Sequence, residues 1–365
     1  MSFPRSTARS PYMEWAKLCS TAKFNLATSG VANYALAQLE ISSDQLEING
    51  EDSYGYKPLI EAIAARYAVP ADCVLTAAGT SMANYLALAA TTEPGDEILL
   101  EQPTYELLLS TARYLSLEIK RFQRAAVSAF QPDIRELERK LSKKTRLVVL
   151  ANLHNPSGAL ISNEVLRAIG KAAKKVGARV LVDEVYLELL FDAGRTAFHL
   201  DPECFIVTNS LTKGYGLSGL RCGWVLAAPA LVERMWRIND LHAATPVFAG
   251  EQISVVAFQK LEQIARRAEQ LLKANRQLLR SFLESRDDLE YFWPEYGTIV
   301  FPRFRHGNAD ELCSLLREKF QTTVVPGRFF EAPDHFRIGV GGETESLCAA
   351  LEQLGRGLDE FARGR

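Results

Sequence analysis

The chain has 365 residues, of which 47% are hydrophobic, and its formal net charge at pH 7 is −2. A charge this small creates no broad basic field, so we do not expect a nucleic-acid partner. One hydrophobic core rarely grows to this chain length, so two domains are expected. The first fifteen residues carry charges and prolines, and no apolar run approaches the length of a membrane span. We therefore expect a cytoplasmic protein that does not bind membranes.

The cysteines and histidines give no sign of a metal site. None of the six cysteines forms a CxxC pair, and the five histidines form no ligand cluster with the acidic residues. Buried, reduced thiols in a reducing compartment are the simplest interpretation of the cysteines. They are Cys19, Cys73, Cys204, Cys222, Cys313 and Cys348.

Short apolar runs alternate with helical patterns through the first two thirds of the chain. Helices are predicted over residues 79–90 and 161–176, and strands over 97–100, 147–150, 180–182, 205–207 and 223–226. This alternation is typical of an α/β fold, in which helices sandwich a mostly parallel sheet. Ligands of such folds bind at the carboxyl ends of the strands.

The pattern changes near residue 252. A long helical segment is predicted over 252–285, followed by short strands within 290–304 and 322–340 and by a helix over 310–320. We therefore predict three regions along the chain. They are an N-terminal arm (1–40) that packs with the small domain, a large domain (41–251), and a connector helix with a small α+β domain (252–365).

Gly79, Thr80 and Ser81 begin the first of these helical patterns. A glycine turn at a helix N-terminus presents backbone N–H groups and the positive end of the helix dipole to an anion. We therefore predict that these three residues contact a phosphate group.

Three polar residues follow two of the predicted strands. Asn155 begins an Asn-Pro-Ser-Gly turn, Asp183 comes directly after the strand at 180–182, and Tyr186 lies three residues further on. Taken singly, they could be a turn former, a helix cap and a residue at the edge of the core. Their order and spacing relative to the segment that follows favour a functional interpretation.

Ser210, Thr212 and Lys213 lie together after the strand at 205–207, and Arg221 follows eight residues after the lysine. A lysine that forms a Schiff base needs a lowered pKa, which burial and the Arg221 charge would supply. Hydroxyl groups, an arginine fork and glycines suit a phosphate monoester. A Ser-x-x-Lys pair also occurs in penicillin-binding acyltransferases, but the companion Ser-Asp-Asn and Lys-Thr-Gly motifs are absent from the sequence.

Together these segments resemble the motifs of the class I/II aminotransferases, the fold-type I enzymes that use pyridoxal 5′-phosphate (PLP). The resemblance implies that the catalytic residues are Lys213, which holds the cofactor as a Schiff base, Asp183, which pairs with the pyridine nitrogen, and Tyr186. Tyr186 and Asn155 would contact the phenolic oxygen of the cofactor. The implied phosphate contacts are Gly79, Thr80, Ser81, Ser210, Thr212 and Arg221.

Matches outside these motifs extend the resemblance. Tyr105 lies where the family has an aromatic residue stacked on the cofactor ring. Arg337, preceded by Phe336, lies where a family arginine binds the α-carboxylate of the substrate. Gly30 and Asn155 are the other substrate contacts that the resemblance implies.

The resemblance also implies a homodimer in which a tyrosine of one chain reaches the phosphate of the partner's cofactor. Tyr54 is the best match and Tyr56 the alternative, although the arginine of the Leu-Arg pair that usually follows is missing. Residues 29–36 and 54–55 further resemble the branch that contains capreomycidine synthase. In that branch the same cofactor performs an elimination and ring closure.

The activity implied is ping-pong transamination between an L-amino acid and a 2-oxo acid, with Lys213 moving the proton between Cα and C4′. A PLP-dependent lyase, cyclase or decarboxylase on the same fold is the alternative. A ligand-sensing regulator is a third interpretation, which the lack of a DNA-binding extension before Pro4 disfavours. No arginine matches a clamp for a side-chain carboxylate, so specificity for aspartate or glutamate is not supported.

Overall fold

The computed structural model describes residues 9–42, 44, 46–51 and 53–363, so Pro4 and the residues around it lie outside the described part of the chain. The strands of the large sheet are β2 (Val74–Ala78), β3 (Glu97–Gln102), β4 (Glu118–Gln123), β5 (Thr145–Ala151), β6 (Arg179–Asp183), β7 (Phe205–Ser210) and β8 (Cys222–Leu226). The shorter strands are β1 (Phe24–Asn25), β9 (Leu289–Glu290), β10 (Ile299–Val300), β11 (Arg303–Phe304), β12 (Thr322–Thr323), β13 (Val325–Pro326) and β14 (Phe336–Gly339).

Helices lie between the strands and in the N- and C-terminal parts of the described chain. In order they are α1 (Pro11–Leu18), α2 (Leu36–Leu39), α3 (Lys57–Tyr67), α4 (Gly79–Thr91), α5 (Glu106–Tyr114), α6 (Ile134–Lys140), α7 (Asn163–Lys175), α8 (Pro229–Asp240), α9 (Phe248–Gln259), α10 (Leu261–Glu284), α11 (Ala309–Phe320) and α12 (Thr344–Arg363). Among the described residues, no helix combines the length and the apolar composition that a membrane crossing needs.

The large sheet has the strand order β2-β8-β7-β6-β5-β3-β4. Strands β3, β4, β5, β6 and β7 run parallel to one another, whereas β8 is antiparallel to both of its neighbours, β2 and β7. Alternate residues of β5 enter two different cores: Val148 packs with the side of α7, and Val149 packs with α4 and α5. Both faces of the sheet are therefore covered by helices, as the sequence predicts for an α/β fold.

The N-terminal segment pairs with the C-terminal part of the chain. Strand β1 is parallel to β12, and Leu26 shares a core with residues of α10, α11 and α12. Strands β10, β14 and β13 form a small antiparallel sheet beside this core. These contacts are of the kind that an N-terminal arm needs, while the two boundaries between the three predicted regions stay a prediction.

Two details differ from the sequence expectations. The long helical pattern over 252–285 is interrupted at Lys260, whose backbone (φ −103°, ψ 11°) leaves the α-helical region between α9 and α10. The expectation of buried thiols holds for four cysteines but is wrong for Cys348, which is exposed, while Cys19 is half-buried. Cys348 lies on the solvent face of the amphipathic helix α12.

Candidate active site

The carboxyl ends of the central strands meet at one cavity, because neighbouring parallel strands end at the same edge of a sheet. The space between the lining side chains, including its mouth open to solvent, is about 770 Å³. Ten of the residues predicted from the sequence line it: Thr80, Ser81, Tyr105, Asn155, Asp183, Tyr186, Ser210, Thr212, Lys213 and Arg221. Residues that lie between positions 80 and 221 of the chain are thus brought to one place.

The amine of Lys213 has an unusual electrostatic environment. Its Nζ donates a hydrogen bond to Ser29 Oγ at 3.0 Å. Burial lowers the pKa of Lys213 to about 8, and the positive charges of Arg337 and Arg221 act in the same direction against the attraction of Asp183. A lysine in this state is partly neutral near pH 7, as a nucleophilic amine requires.

Asp183, at the end of β6, is buried and held from two sides. Its Oδ2 accepts a hydrogen bond from Asn84 Nδ2 at 2.8 Å, and its Oδ1 accepts one from the backbone N–H of Val185 at 3.0 Å. Burial raises the pKa of Asp183 to about 6, although these hydrogen bonds and the Lys213 charge favour the ionised form. A cationic ring nitrogen placed beside this carboxylate would favour ionisation further.

Asn84 is a residue of the site that the sequence analysis missed. Its amide oxygen accepts a hydrogen bond from Thr208 Oγ1 at 2.6 Å, which orients the amide nitrogen towards Asp183. The sequence does contain a signal for it. Asn84 follows Thr80 by four residues in α4, so both side chains lie on one face of the helix.

The start of α4 forms a polar pocket with Arg221. Gly79 has φ +77°, and a Cβ atom there would lie 2.2 Å from Arg221 Nη2, so the guanidinium packs directly on this turn. Arg221 itself adopts the left-handed conformation (φ 51°) and donates to the carbonyl of Ala78 at 3.1 Å. The buried Thr80 Oγ1 has no hydrogen-bond partner among the described residues.

Arg337, on β14, is fully buried next to the cavity. Its Nη1 donates to Asn155 Oδ1 at 2.8 Å, and its Nη2 donates to the hydroxyl of Tyr12 at 3.1 Å and to the carbonyl of Ala27 at 3.3 Å. Its Nε has no partner within the described part of the chain. The guanidinium therefore links two residues that line the cavity.

The remaining predicted residues occupy different positions. Tyr186 is buried in the cavity wall, and burial raises its pKa to about 12. Gly30 lies against the backbone of Lys213, with an added Cβ only 3.4 Å from the lysine Cα. Neither Tyr54 nor Tyr56 lines the cavity of its own chain: their rings pack edge-on against Trp236 and Phe248.

Comparison with known proteins shows the family to which the chain belongs. Residues 22–354 match the model of the family of class I and II aminotransferases. The chain belongs to this family. Its members depend on PLP, and the α/β fold of the chain is that of PLP-dependent aminotransferases of known structure.

Two curated relatives illustrate the range of activities among similar sequences. The chain is 30% identical to capreomycidine synthase of Streptomyces vinaceus, over 99% of this chain and 97% of that protein. It is 28% identical to alanine aminotransferase of Mycobacterium tuberculosis, over 85% of this chain and 78% of the relative.

Solved structures show the same range. A PLP-dependent aminotransferase from Streptococcus suis has a TM-score of 0.91 at 24% identity, with 99% of each chain covered. The PLP-dependent cyclase OrfR has a TM-score of 0.88 at 26% identity, with 98% of this chain and 99% of that chain covered.

The residues of the cavity fit PLP chemically. The N-terminus of α4, the Arg221 fork and the Thr80 hydroxyl, which has no partner in the described part of the chain, suit its phosphate. The buried Asp183 carboxylate suits its pyridine nitrogen, and the amine of Lys213, with its lowered pKa, suits its aldehyde carbon.

Proposed function

We propose that the protein is an aminotransferase that moves an amino group between an L-amino acid and a 2-oxo acid. The observation that supports this most is the environment of Lys213. Its amine has a lowered pKa, lies in the same cavity as Asp183, and interacts electrostatically with both Asp183 and Arg337. Such a placement suits an amine that exchanges protons with a substrate lying between a cofactor site and a carboxylate site.

Bound PLP supplies an electron sink that weakens the bonds at the α-carbon of an amino acid. The role that we propose for Lys213 is then to remove the proton from Cα and to return a proton during the second half of the reaction. A pKa near the working pH suits both directions of this transfer. Asp183, held by Asn84, would keep the ring nitrogen protonated.

Arg337 and Asn155 form the proposed site for the α-carboxylate. A guanidinium donates two parallel hydrogen bonds to a carboxylate, which fixes the orientation of the substrate as well as its position. Arg337 Nη1 donates a hydrogen bond to Asn155, whereas its buried Nε has no partner among the described residues and is available to a ligand. An α-carboxylate held here would keep the bond between Cα and its hydrogen in one fixed orientation relative to Lys213.

A lyase or cyclase is the second candidate, because the similarity to capreomycidine synthase extends over 99% of this chain. Both reactions would begin with the same removal of a proton from Cα by Lys213. They diverge afterwards: an amino group is transferred, or a leaving group departs from Cβ. The difference therefore lies in whether a second, amino-accepting substrate is needed.

Dependence on an acceptor tests the proposal. The cofactor-loaded protein would be incubated with each of the common L-amino acids, with and without pyruvate or 2-oxoglutarate. A transaminase forms one oxo acid per active site without an acceptor and turns over only when an acceptor is present. Continuous release of ammonia or of a cyclised product without an acceptor would instead establish the lyase or cyclase alternative.

A further inference from the structure

We infer that Tyr12 is a specificity residue of this site, and that its hydroxyl group donates a hydrogen bond to the α-carboxylate of the substrate. The inference rests on the proposed function, since it requires a substrate with a carboxylate beside Arg337. Tyr12 belongs to none of the sequence motifs, and only the structure brings it to the cavity.

The hydrogen bond between Tyr12 and Arg337 leaves a donor unused. Arg337 Nη2 donates to the Tyr12 oxygen at 3.1 Å. The phenol cannot donate its own hydrogen to Arg337, because a guanidinium has only donor groups. The hydrogen of the phenol is therefore free, and none of the described residues accepts it. A carboxylate is the group that would accept hydrogen bonds from the guanidinium and the phenol together.

Helix α1 holds Tyr12 in place through its first turn. The side chain of Ser10 accepts a hydrogen bond from the backbone N–H of Met13 at 3.1 Å and so caps the helix. The same hydroxyl donates to the carboxylate of Glu106 at the start of α5. The beginning of α1 is thus attached to the start of α5, directly after Tyr105.

Aromatic side chains pack around the ring of Tyr12. Its centroid lies 5.8 Å from that of Tyr105 in an edge-on arrangement, and 5.7 Å and 6.0 Å from those of Phe329 and Phe330. Only 8% of Tyr12 is exposed. The hydroxyl is therefore preorganised, so that little conformational entropy is lost when it meets a ligand.

Such a donor would discriminate between amino acids and amines. A buried group that is positioned to bind a polar part of the substrate disfavours ligands that lack this part. The contribution of one hydrogen bond to a charged group corresponds to about a tenfold change in affinity or more. Tyr12 would thus contribute to the preference for ligands with an α-carboxylate, in addition to Arg337.

The experiment compares 2-methylalanine with isopropylamine, which differ only in the carboxylate. Neither is an ordinary transamination substrate, because the first lacks a hydrogen at Cα and the second lacks the carboxylate. Their affinities for the cofactor-loaded protein would be measured from the cofactor absorbance in the wild type, in Tyr12→Phe and in Tyr34→Phe. Tyr34 is a matched control: it is also 8% exposed, and its hydroxyl contacts the carbonyl of Gln38 instead.

We expect Tyr12→Phe to lower the preference for 2-methylalanine over isopropylamine about tenfold, with the affinity for isopropylamine and the melting temperature unchanged. Tyr34→Phe should keep the wild-type preference. An unchanged preference in Tyr12→Phe, or an equal loss of affinity for both ligands, would overturn the inference. A wild type that does not prefer 2-methylalanine would contradict the carboxylate site itself, and this outcome is visible before any variant is compared.

Discussion

At the scale of single residues, burial shifts the pKa values of the two main ionisable groups of the site in opposite directions. It raises the pKa of Asp183 to about 6 and lowers that of Lys213 to about 8, because a low-dielectric surrounding disfavours both charged forms. Each group therefore changes its charge close to neutral pH. This costs stability in the protein without cofactor and makes both groups suitable for proton transfer.

The Asp183→Asn variant tests the proposed pairing with the pyridine nitrogen. We expect the activation barrier to rise by about 3 kcal/mol, because the charge that stabilises the protonated ring is lost. This corresponds to a fall in kcat of roughly two orders of magnitude. The phosphate contacts remain, so the cofactor content should change little. Glu184→Gln is a matched control, since this neighbouring buried carboxyl contacts the backbone of Ala197. Near-normal kcat in Asp183→Asn would rule out the pairing.

Lys213→Met should stabilise the protein without cofactor. The pKa of Lys213 is about 8 in the folded state against an ordinary 10.5, so the folded state disfavours its charge by roughly 3 kcal/mol at pH 7. Between pH 8 and 10.5 the unfolded state binds more protons, so the penalty decreases as the pH rises and vanishes above 10.5. Urea unfolding of the wild type and of Lys213→Met from pH 7 to 10.5 measures how the difference in their free energies of unfolding changes with pH.

The control for this prediction is Lys171→Met, which removes an exposed lysine of α7 and should change the free energy of unfolding by less than about 0.5 kcal/mol. If Lys213→Met gains the same stability at every pH, the gain comes from hydrophobic packing. The proposed cost of protonation would then be wrong.

The sequence predicted the residues of the site that occur in compact motifs. Lys213 and Arg221 are close in the chain, and their residue types fit one chemical task. Asn84 and Tyr12, which also line the cavity, were missed because their hydrogen-bond partners, Asp183 and Arg337, lie 99 and 325 positions away. A local pattern carries no information on such pairs, since only the packing of the elements brings them together.

At the scale of elements, the phosphate pocket depends on the close approach of β8 to the start of α4. Gly223 on β8 faces Gly79, and a Cβ at position 223 would lie 2.4 Å from the Gly79 carbonyl carbon. The backbone of Gly79 cannot move aside to make room for this atom as a flexible side chain could. The hydrophobic periodicity of the sequence predicted β8, but it did not predict that this strand pairs antiparallel with both of its neighbours.

Gly223→Ala should therefore weaken cofactor binding. The added methyl group would move the N-terminus of α4 away from Arg221, with a loss of stability of about 1 to 3 kcal/mol from overpacking. We expect the Kd for PLP, measured by fluorescence titration, to rise at least tenfold. Gly219→Ala is the control, because an added Cβ there has no atom of another described residue within 4 Å apart from its chain neighbours. Equal Kd values in the two variants would show that the close approach is not needed.

At the scale of the whole molecule, one surface has unusually exposed apolar side chains. Ile48, Tyr54, Leu241 and Val247 are between 44% and 84% exposed. Their segments are in contact, since the backbone N–H of Glu47 donates to the Gln252 side chain at 2.9 Å and Tyr54 packs on Trp236. A second cavity is lined by both Val247 and Arg221, so this surface adjoins the phosphate pocket.

We propose that this surface forms a homodimer interface through which Tyr54 reaches the phosphate site of the partner subunit. Exposed apolar patches mark association sites, and twofold dimers are the commonest closed assembly. The position of Tyr54 outside its own cavity, with 44% of the residue exposed, is consistent with a role in another chain. Tyr56, which packs on Phe248, is the alternative donor.

Mixing two defective chains tests this arrangement. Lys213→Ala is expected to be inactive, and Tyr54→Phe should bind the cofactor weakly, because each of its sites lacks the partner's hydroxyl. In a mixed dimer, the site with the intact Lys213 receives Tyr54 from the Lys213→Ala chain and is complete. Activity at limiting cofactor should therefore exceed that of either variant alone, after the chains are exchanged by dilution and reconcentration. A mixture of Tyr34→Phe and Lys213→Ala controls for effects of the chain exchange itself. A fully active monomer in sedimentation would contradict a site that two subunits share.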